Sequence, residues 1–556
     1  MNIPNNSVTF QVLWNRLLAI VEEQAQVLIR TAFSPMVRYC GDVSVAAFDV
    51  RGRMLAQAVT GTPGHVNTMA EAVGHFLDRF PLDEMREGDA YITNDPWLGT
   101  GHLNDFTVLT PAFHEGRCVA LFACTSHIMD VGGLGASTEA LDVLSEGIYV
   151  PHLKLLDGGV INDTLMAMLE ANSRLPVDIV GDIFSLAACN DAGVKRLGET
   201  FREFGLTGID DVSQHIIETS RAAVLKRVSE LPKGCWRNEL MLDGYDSPIR
   251  LYASLTISDA GIHIDFDGTD PVVAKGINVP LTYTKAYACF GVACSVFGDI
   301  PNNSGSLSSL TVSAPEGSIV NAQKPAPVGA RHVVGQMIPD LILGCLAQAL
   351  PDRIPAEGAS CMWNISLRGT ARSGRNYTLA VMTSGGMGAR PGLDGLSATA
   401  FPTGIFGMPV EIVESQVPFL FWRKELQPDS GGAGRTRGGL GQVIEFENVE
   451  GSSFRLSAAY ERIHHPARGR LGGADGAPGH VELASGEKLQ GKGLQTIPAG
   501  SRVVLHTPGG AGLGPASERS PERIETDLNE GRISLKAAKE QYGFRKERLN
   551  EGGFAT

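Results

Sequence analysis

The chain has no run of about 18 apolar residues, the length that spans a bilayer. Its opening, Met1-Asn2-Ile3-Pro4-Asn5-Asn6-Ser7, lacks the basic start and apolar block of a secretory leader, so a cytoplasmic location is the expectation. Its 9 cysteines are scattered, with no C-x-x-C pair. That pattern excludes a zinc knuckle and favours reduced thiols over a disulfide framework. No G-x-x-x-x-G-K-[ST] is present, and no G-x-G-x-x-G opens a helix after a strand, so no nucleotide site is legible. Without a G-x-S-x-G, a serine-hydrolase elbow has no support. Lysine- and arginine-rich runs are missing too. The balance of 47 basic against 61 acidic residues leaves a net charge of −14, which speaks against general nucleic-acid affinity. No internal repeat or low-complexity segment stands out.

What is present is a well-buried globular chain, 43% hydrophobic and 19% charged. Its 556 residues exceed one ordinary core. The 66 glycines are well above the usual share of roughly 7% and fall in clusters, which read as turns around sheets. Apolar residues at helical spacing predict a helix over 8–30, ended near Ser34-Pro35, and others over about 67–80, 165–173, 185–200 and 212–230. Strands are expected at 43–50 and 54–58, joined by Arg51-Gly52-Arg53. Past Trp236 the texture changes to short strands, with helices at about 284–297 and 334–350. From about Ser430 glycine-punctuated strands predict a β-sandwich-like region, then a helical tail over 520–542 with Ser534 as an N-cap. The expected fold is α+β and multi-domain, with mixed sheets: an N-terminal α/β domain over 1–235, a middle α+β domain over 236–430, and a β-rich region with helical tail over 431–556.

The chain is organised around Asn94-Asp95-Pro96-Trp97-Leu98-Gly99-Thr100-Gly101-His102-Leu103-Asn104-Asp105 and the later Ser126-His127-Ile128-Met129-Asp130-Val131-Gly132-Gly133. Between them, 106–113 and 118–126 read as two strands. Paired about Glu115-Gly116, they bring Asp105 beside Ser126 and His127, with His102 one loop turn away. Two imidazoles and a carboxylate with open positions match a catalytic first-row metal site. The plainer alternative is that H-x-x-D arises by chance and the histidines are hydrogen-bonded loop residues. The flanking glycines allow close backbone approach to a small ligand, or simply make turns.

These blocks resemble the hydantoinase B/oxoprolinase family, to which acetone and acetophenone carboxylase α subunits are related. The similarity covers almost the whole chain. It includes Val8-Thr9-Phe10-Gln11-Val12-Leu13-Trp14-Asn15-Arg16-Leu17, the Asp42-Val43-Ser44 strand, Gly88-Asp89, Gly147-Ile148-Tyr149-Val150-Pro151, Gly385-Gly386-Met387-Gly388-Ala389-Arg390-Pro391-Gly392, Pro428-Asp429-Ser430-Gly431-Gly432 and Thr507-Pro508-Gly509-Gly510-Ala511-Gly512. The resemblance implies one divalent metal (zinc, manganese or iron) held by His102, Asp105 and His127, with Asp42 joining them. It also implies a hydantoinase A-like partner that carries ATP and magnesium, in a heterotetramer or larger complex. The implied activity is ATP-coupled opening of a lactam, hydantoin or 5-oxoproline-like ring. The alternatives are a subunit of a ketone carboxylase and a non-catalytic partner in a complex.

Asp130 fits a catalytic base or a partner orienting His127, with a plain salt bridge or turn cap as the alternative. His65 fits a catalytic or binding role, or a buried structural histidine. Arg331 fits bidentate substrate binding or an internal ion pair. Two segments depart from the family pattern. Arg38-Tyr39-Cys40-Gly41 stands where charged residues are usual, and residues 401–408 stand where Asn and Thr are usual. If either lines the substrate pocket, the substrate is not the family's commonest one.

Overall fold

The structure is a computed structural model that describes residues 7–59 and 61–544. The opening residues 1–6, read above for a leader, lie outside them. The architecture is α+β, with helices mainly in the first two thirds and sheets throughout. Strands β1 (Val43–Phe48), β2 (Met54–Gln57), β3 (Ala90–Thr93), β4 (Asp105–His114), β5 (Arg117–His127), β6 (Leu153–Asp157) and β7 (Val160–Ile161) form a seven-stranded sheet in the order β2-β1-β5-β4-β3-β6-β7. Its central strands read as near-continuous apolar runs because both faces are covered. Alternate residues Val45, Ala47, Val108 and Phe122 pack under helices α1 (Ser7–Thr31) and α4 (Pro176–Phe204), the latter following α3 (Asp163–Asn172). The intervening Ala46, Phe48, Leu109 and Leu121 pack against α2 (Pro63–Arg79) through Val66, Met69 and Val73. An antiparallel sheet clad on both sides loses the polar alternation of a half-exposed one.

Helix α5 (Asp210–Ser229) leads to a four-stranded sheet in the order β11-β10-β9-β8, made of β8 (Gly234–Leu242), β9 (Ile249–Ser258), β10 (Gly261–Asp265) and β11 (Leu310–Ser313). It shares a core with α6 (Leu281–Val296) and the apolar helix Ile338–Ala349. The helix expected over 334–350 is two pieces, His332–Gly335 and Ile338–Ala349, with Pro339 in the first turn of the second.

The remaining strands are β12 (Trp363–Thr370), β13 (Asn376–Thr383), β14 (Phe419–Leu426), β15 (Gln442–Asn448), β16 (Phe454–Ala459), β17 (His480–Leu483), β18 (Lys492–Ile497) and β19 (Arg502–His506). They form two four-stranded sheets, β13-β12-β16-β18 and β14-β15-β19-β17, over one apolar cluster. Residue 430 thus falls between strands that pair with one another, Ser366 with Ser457 and Leu420 with Glu447. The tail is helical at Pro521–Asn529 and Leu535–Tyr542, and Ser534 caps the second piece by accepting from the Ala537 N–H.

Most C-terminal glycine clusters are not turns. Segments around 386, 439 and 510 lie backbone against backbone, with Gly386 N–H bonded to the Pro508 carbonyl and Gly510 N–H to the Gly439 carbonyl, each at 2.9 Å. A Cβ at Gly510 would sit 2.0 Å from the Met387 carbonyl oxygen. These glycines permit close packing of chain on chain, which local sequence does not reveal.

Candidate metal centre

Antiparallel order brings the start of β4, the end of β5 and the residue ahead of β1 to one end of three adjacent interior strands of the N-terminal sheet. The β4–β5 hairpin turns at Glu115 and Gly116, both with positive φ, and pairs His114 with Arg117 and Phe113 with Cys118. A bulge at Ala112/Phe113 then shifts every later pair by one residue. Asp105 consequently faces His127, where an unbulged hairpin would set it against Ser126. On the other side of β5, Val43 lies across from Ser126. The His127 N–H reaches the Asp42 carbonyl at 3.4 Å.

His102 comes from the loop ahead of β4. That loop is pinned by Asn94, whose Nδ2 donates to the Leu103 and Ile148 carbonyls at 2.8 and 3.0 Å. Asn104 Nδ2 donates to the Ile128 carbonyl at 2.8 Å, and the Ile128 N–H returns a bond to the Asn104 carbonyl at 2.7 Å. Gly101 has φ +96°, and a Cβ there would meet Arg331 Nε at 2.5 Å, so only glycine lets that arginine pass. His65 lies in the first turn of α2.

Four of the expected residues converge on the buried carboxylate of Asp105. Its Oδ1 lies 2.7 Å from His102 Nε2 and 3.1 Å from His127 Nδ1. Its Oδ2 lies 2.9 Å from His65 Nε2 and 2.5 Å from Arg331 Nη2. Asp42 Oδ1 is 3.5 Å from His65 Nδ1. The His102 and His127 ring centroids are 5.2 Å apart, and the ligand atoms of His102, Asp105 and His127 all lie within 4.8 Å of one another. His127 keeps 14% of its side chain exposed, whereas Asp105 is sealed.

Protonation follows from the partners. His102 Nδ1 lies 3.0 Å from the Gly329 carbonyl. A carbonyl only accepts, so Nδ1 carries the proton and the neutral ring turns a bare lone pair toward Asp105 Oδ1. Burial, then the Arg331 charge, pushes His102 down to about 4, so a second proton does not relieve that contact at neutral pH. Asp105, although burial opposes its charge, is held well below the ordinary carboxylate range by the positive charge around it, which with His102 neutral is that of His65 and Arg331. For His65, burial pulls downward but the Asp105 and Asp42 carboxylates outweigh it and raise the imidazole above its usual value. Two acceptors facing each other at 2.7 Å make a good seat for a cation and a poor hydrogen bond. Asp42 Oδ1, His65 Nδ1, His102 Nε2, Thr100 Oγ and Ser126 Oγ are all buried and find no hydrogen-bond partner among the described residues. This donor set of imidazole nitrogens and carboxylate oxygens suits a divalent first-row metal.

Of the remaining expected roles, Asp130 is engaged outside the centre and Arg331 is engaged within it. Asp130 is held by the turn ahead of α4: its carboxylate accepts from Arg174 Nη1 at 2.5 Å, from the Arg174 N–H, and from Ser173 Oγ at 3.3 Å. Arg331 is buried, donates from Nε to the Thr100 carbonyl at 2.8 Å, and lies 4.1 Å over the Tyr283 ring. It is an internal partner of Asp105.

Other residues of the centre carry no motif. Glu146 accepts at Oε1 from the Val328 and Gly329 N–H groups, both at 2.7 Å, and so holds the turn that gives His102 its carbonyl. His332, next to Arg331, sits 3.3 Å from Asn364 Nδ2 and is pushed to about 3 by burial, then by Arg331, His102 and His127. A second group of His480, Glu482 and His506 lies on β17 and β19. It stands at a sheet edge with His480 exposed, and none of its atoms is a buried orphan. All 9 cysteines are free, and the Cys40 thiol near Asp42 is pushed up to about 12 by burial, which leaves it no thiolate character. No helix among the described residues is long and apolar enough to cross a membrane.

The chain also matches known proteins along nearly its whole length. A model of a family described as hydantoinase B/oxoprolinase matches residues 6–516. An uncharacterised protein of Methanocaldococcus jannaschii is 30% identical over 547 residues, covering 97% of this chain and 96% of that one. The B component of a putative D-/L-hydantoinase from a Pseudomonas species is 28% identical over 572 residues, covering 96% and 94%. Among solved structures, the ATP-dependent caprolactamase from Pseudomonas jessenii shares the fold, with a TM-score of 0.88 at 23% identity over 99% of this chain and 97% of that one.

Proposed function

The chain belongs to the hydantoinase B/oxoprolinase family, and from that premise we propose that it is the metal-bearing subunit of an ATP-coupled amidohydrolase. Its substrate is a cyclic amide of the lactam, hydantoin or 5-oxoproline kind, activated by a hydantoinase A-like partner that binds ATP and magnesium. The observation that carries this reading is the meeting of His102 and His127 on Asp105, beside Asp42. Relatives named as subunits support a heteromeric complex, for which a heterotetramer or larger is proposed.

An amide carbon is a poor electrophile, so the partner first transfers phosphate from ATP to the amide carbonyl oxygen. Water then adds to that carbon and the C–N bond breaks, the nitrogen leaving with a proton. A second water releases phosphate from the resulting acyl phosphate, so ATP and two waters yield the ring-opened acid, ADP and phosphate. His102, Asp105 and His127, joined by Asp42, would hold a divalent cation, which would supply Lewis acidity toward water. The Gly329 carbonyl fixes the His102 tautomer, the usual role of a partner behind a ligand. Arg331 offsets the second Asp105 oxygen. His65, between the Asp105 and Asp42 carboxylates and above its usual pKa, holds a proton against both of them. Asp130 serves the fold, not the chemistry.

The test is His102→Ala and His127→Ala, each purified with the partner subunit. Expected is loss of bound metal by elemental analysis together with at least a thousandfold loss of ATP-dependent ring opening. Full turnover with either variant would make this a non-catalytic chain, and incorporation of labelled bicarbonate would make the complex a carboxylase.

A further inference from the structure

Strand β17 is the outer strand of the sheet β14-β15-β19-β17, with β19 as its neighbour. Its residues alternate. Val481 and Leu483 are buried in the C-terminal core, so His480 and Glu482 share the outer face. On β19, Val503 and Leu505 enter the same core, which turns His506 outward. The register sets His506 directly across from His480, and Val504 across from Glu482. Neighbours across a strand pair lie about 5 Å apart on one face, so three donor side chains meet at this end of the pair. The two imidazole rings stack with centroids 4.0 Å apart and planes 9° from parallel. His506 Nε2 lies 3.9 Å from Glu482 Oε1. One donor atom from each of the three residues lies within 4.8 Å of the others.

Two features separate this group from an ordinary surface stack of rings. The first lies behind His506, where Nδ1 is 3.3 Å from Gln427 Oε1. An amide oxygen accepts, so Nδ1 carries the proton and Nε2, the nitrogen nearer Glu482, keeps its lone pair. A metal-bound imidazole takes the same support from a partner behind it. The second is charge. Arg423 Nε bonds Glu445 Oε2 at 2.8 Å, and Arg502 Nε bonds Glu447 Oε2 at 3.0 Å, so the nearby guanidiniums are neutralised on their own carboxylates. Glu482 has no lysine or arginine partner among the described residues and faces the imidazole instead. At 3.9 Å carboxylate and bare nitrogen are too far apart to share a hydrogen bond. An ion with bonds of about 2.0–2.2 Å reaches both.

We propose that His480, Glu482 and His506 bind a second divalent first-row ion of the zinc kind, with water completing its coordination on the open side. Glu482 keeps 30% of its side chain exposed and His506 18%, whereas Asp105 is sealed. This ion therefore exchanges with solvent more readily than one in the buried centre. It clips β17 to β19 and so fixes the outer edge of the sheet, where β17 has four residues and a single neighbouring strand. None of its ligands belongs to the His102 centre, so the second ion stands or falls apart from the ring-opening activity.

Zinc alone, titrated into the metal-free full chain, tests this. Calorimetry should resolve two zinc equivalents in the wild type. His102→Ala should keep the exchangeable one, and His506→Gln should keep the buried one. Gln427→Leu should weaken the exchangeable zinc about 10–100-fold. Hydrogen exchange read by mass spectrometry locates the ion. With free zinc at about ten times its dissociation constant, exchange across 480–483 and 503–506 should slow about tenfold in the wild type and in His102→Ala. The same segments should not respond in His506→Gln or Glu482→Gln. Glu482 is partly exposed and its one ion-pair partner is His506, so Glu482→Gln carries the test should His506→Gln fail to fold. A single zinc equivalent that His102→Ala abolishes overturns the second site. So does zinc binding unchanged by Glu482→Gln, or zinc that leaves exchange across 480–483 as it was.

Discussion

Replacing Glu146 should disable the metal centre from behind. Its side chain is 1% exposed, touches no ligand residue, and bonds two backbone N–H groups of the 328–329 turn. Glu146→Ala strands both donors in the interior at about 1–3 kcal/mol each, so the fold should lose roughly 2–6 kcal/mol. The same turn carries the Gly329 carbonyl that orients His102, and loss of such a partner typically weakens metal binding 10–100-fold. Glu146→Gln keeps the accepting oxygen and should cost under about 1 kcal/mol near pH 5, where the folded-state carboxyl is largely neutral. Charge gives an independent check. Burial, opposed by the two N–H bonds, pushes the Glu146 carboxyl from 4.5 up to about 8. A folded-state value above the unfolded one means its stabilising contribution is complete below pH 4.5 and is lost as pH rises through 8. The full gap corresponds to at most about 5 kcal/mol. Urea unfolding of wild type and Glu146→Gln at pH 5, 7 and 9, with zinc titrations of all three proteins, measures each part. The wild type should fall behind the glutamine variant as pH rises. If Glu146→Ala unfolds at the wild-type urea concentration and binds zinc equally well, the turn does not depend on this carboxylate and the reasoning fails.

Gly510→Ala places a methyl 2.0 Å from the Met387 carbonyl oxygen and should cost more than about 4 kcal/mol, seen as lost soluble yield or a lower thermal midpoint. Gly74→Ala, inside α2 with nothing within 4 Å of the added carbon, should instead stabilise by about 0.5–1 kcal/mol; the same sign for both would refute the distinction. Asp130→Asn should cost about 1 kcal/mol or less through its contacts with Ser173 and Arg174 and leave metal content at the wild-type level. A loss of metal in that variant would restore Asp130 to the centre.

The legible parts of this fold are those with a local signature. Helix α1 and the β4–β5 hairpin carry period and turn chemistry in their own residues, so their limits follow within a few positions. What escapes is set by distant chain. The bulge at Ala112/Phe113 decides whether Asp105 faces Ser126 or His127, yet nothing in that apolar run marks it. The glycines at 386, 439 and 510 read as turns because turns are their commonest use, but their partners lie more than fifty residues away. Glu146 and His332 belong to no motif, and their position depends on how the 328–332 turn folds over the end of the sheet.

The same distinction explains why the sequence leaves Arg331 open between a substrate contact and an internal ion pair, while the fold pairs it with Asp105. An arginine in Gly329-Ala330-Arg331-His332 has the right chemistry for an anion, but Gly101 opens a channel through which its side chain reaches Asp105. There its charge has two effects that work together. It helps keep Asp105 ionised and helps keep His102 neutral, which is the protonation state a cation requires of both. A buried carboxylate with imidazoles alone could relieve its charge by sharing their protons. With a guanidinium occupying Oδ2, Oδ1 is left facing two imidazole nitrogens, and a metal ion is the partner that satisfies all three at once.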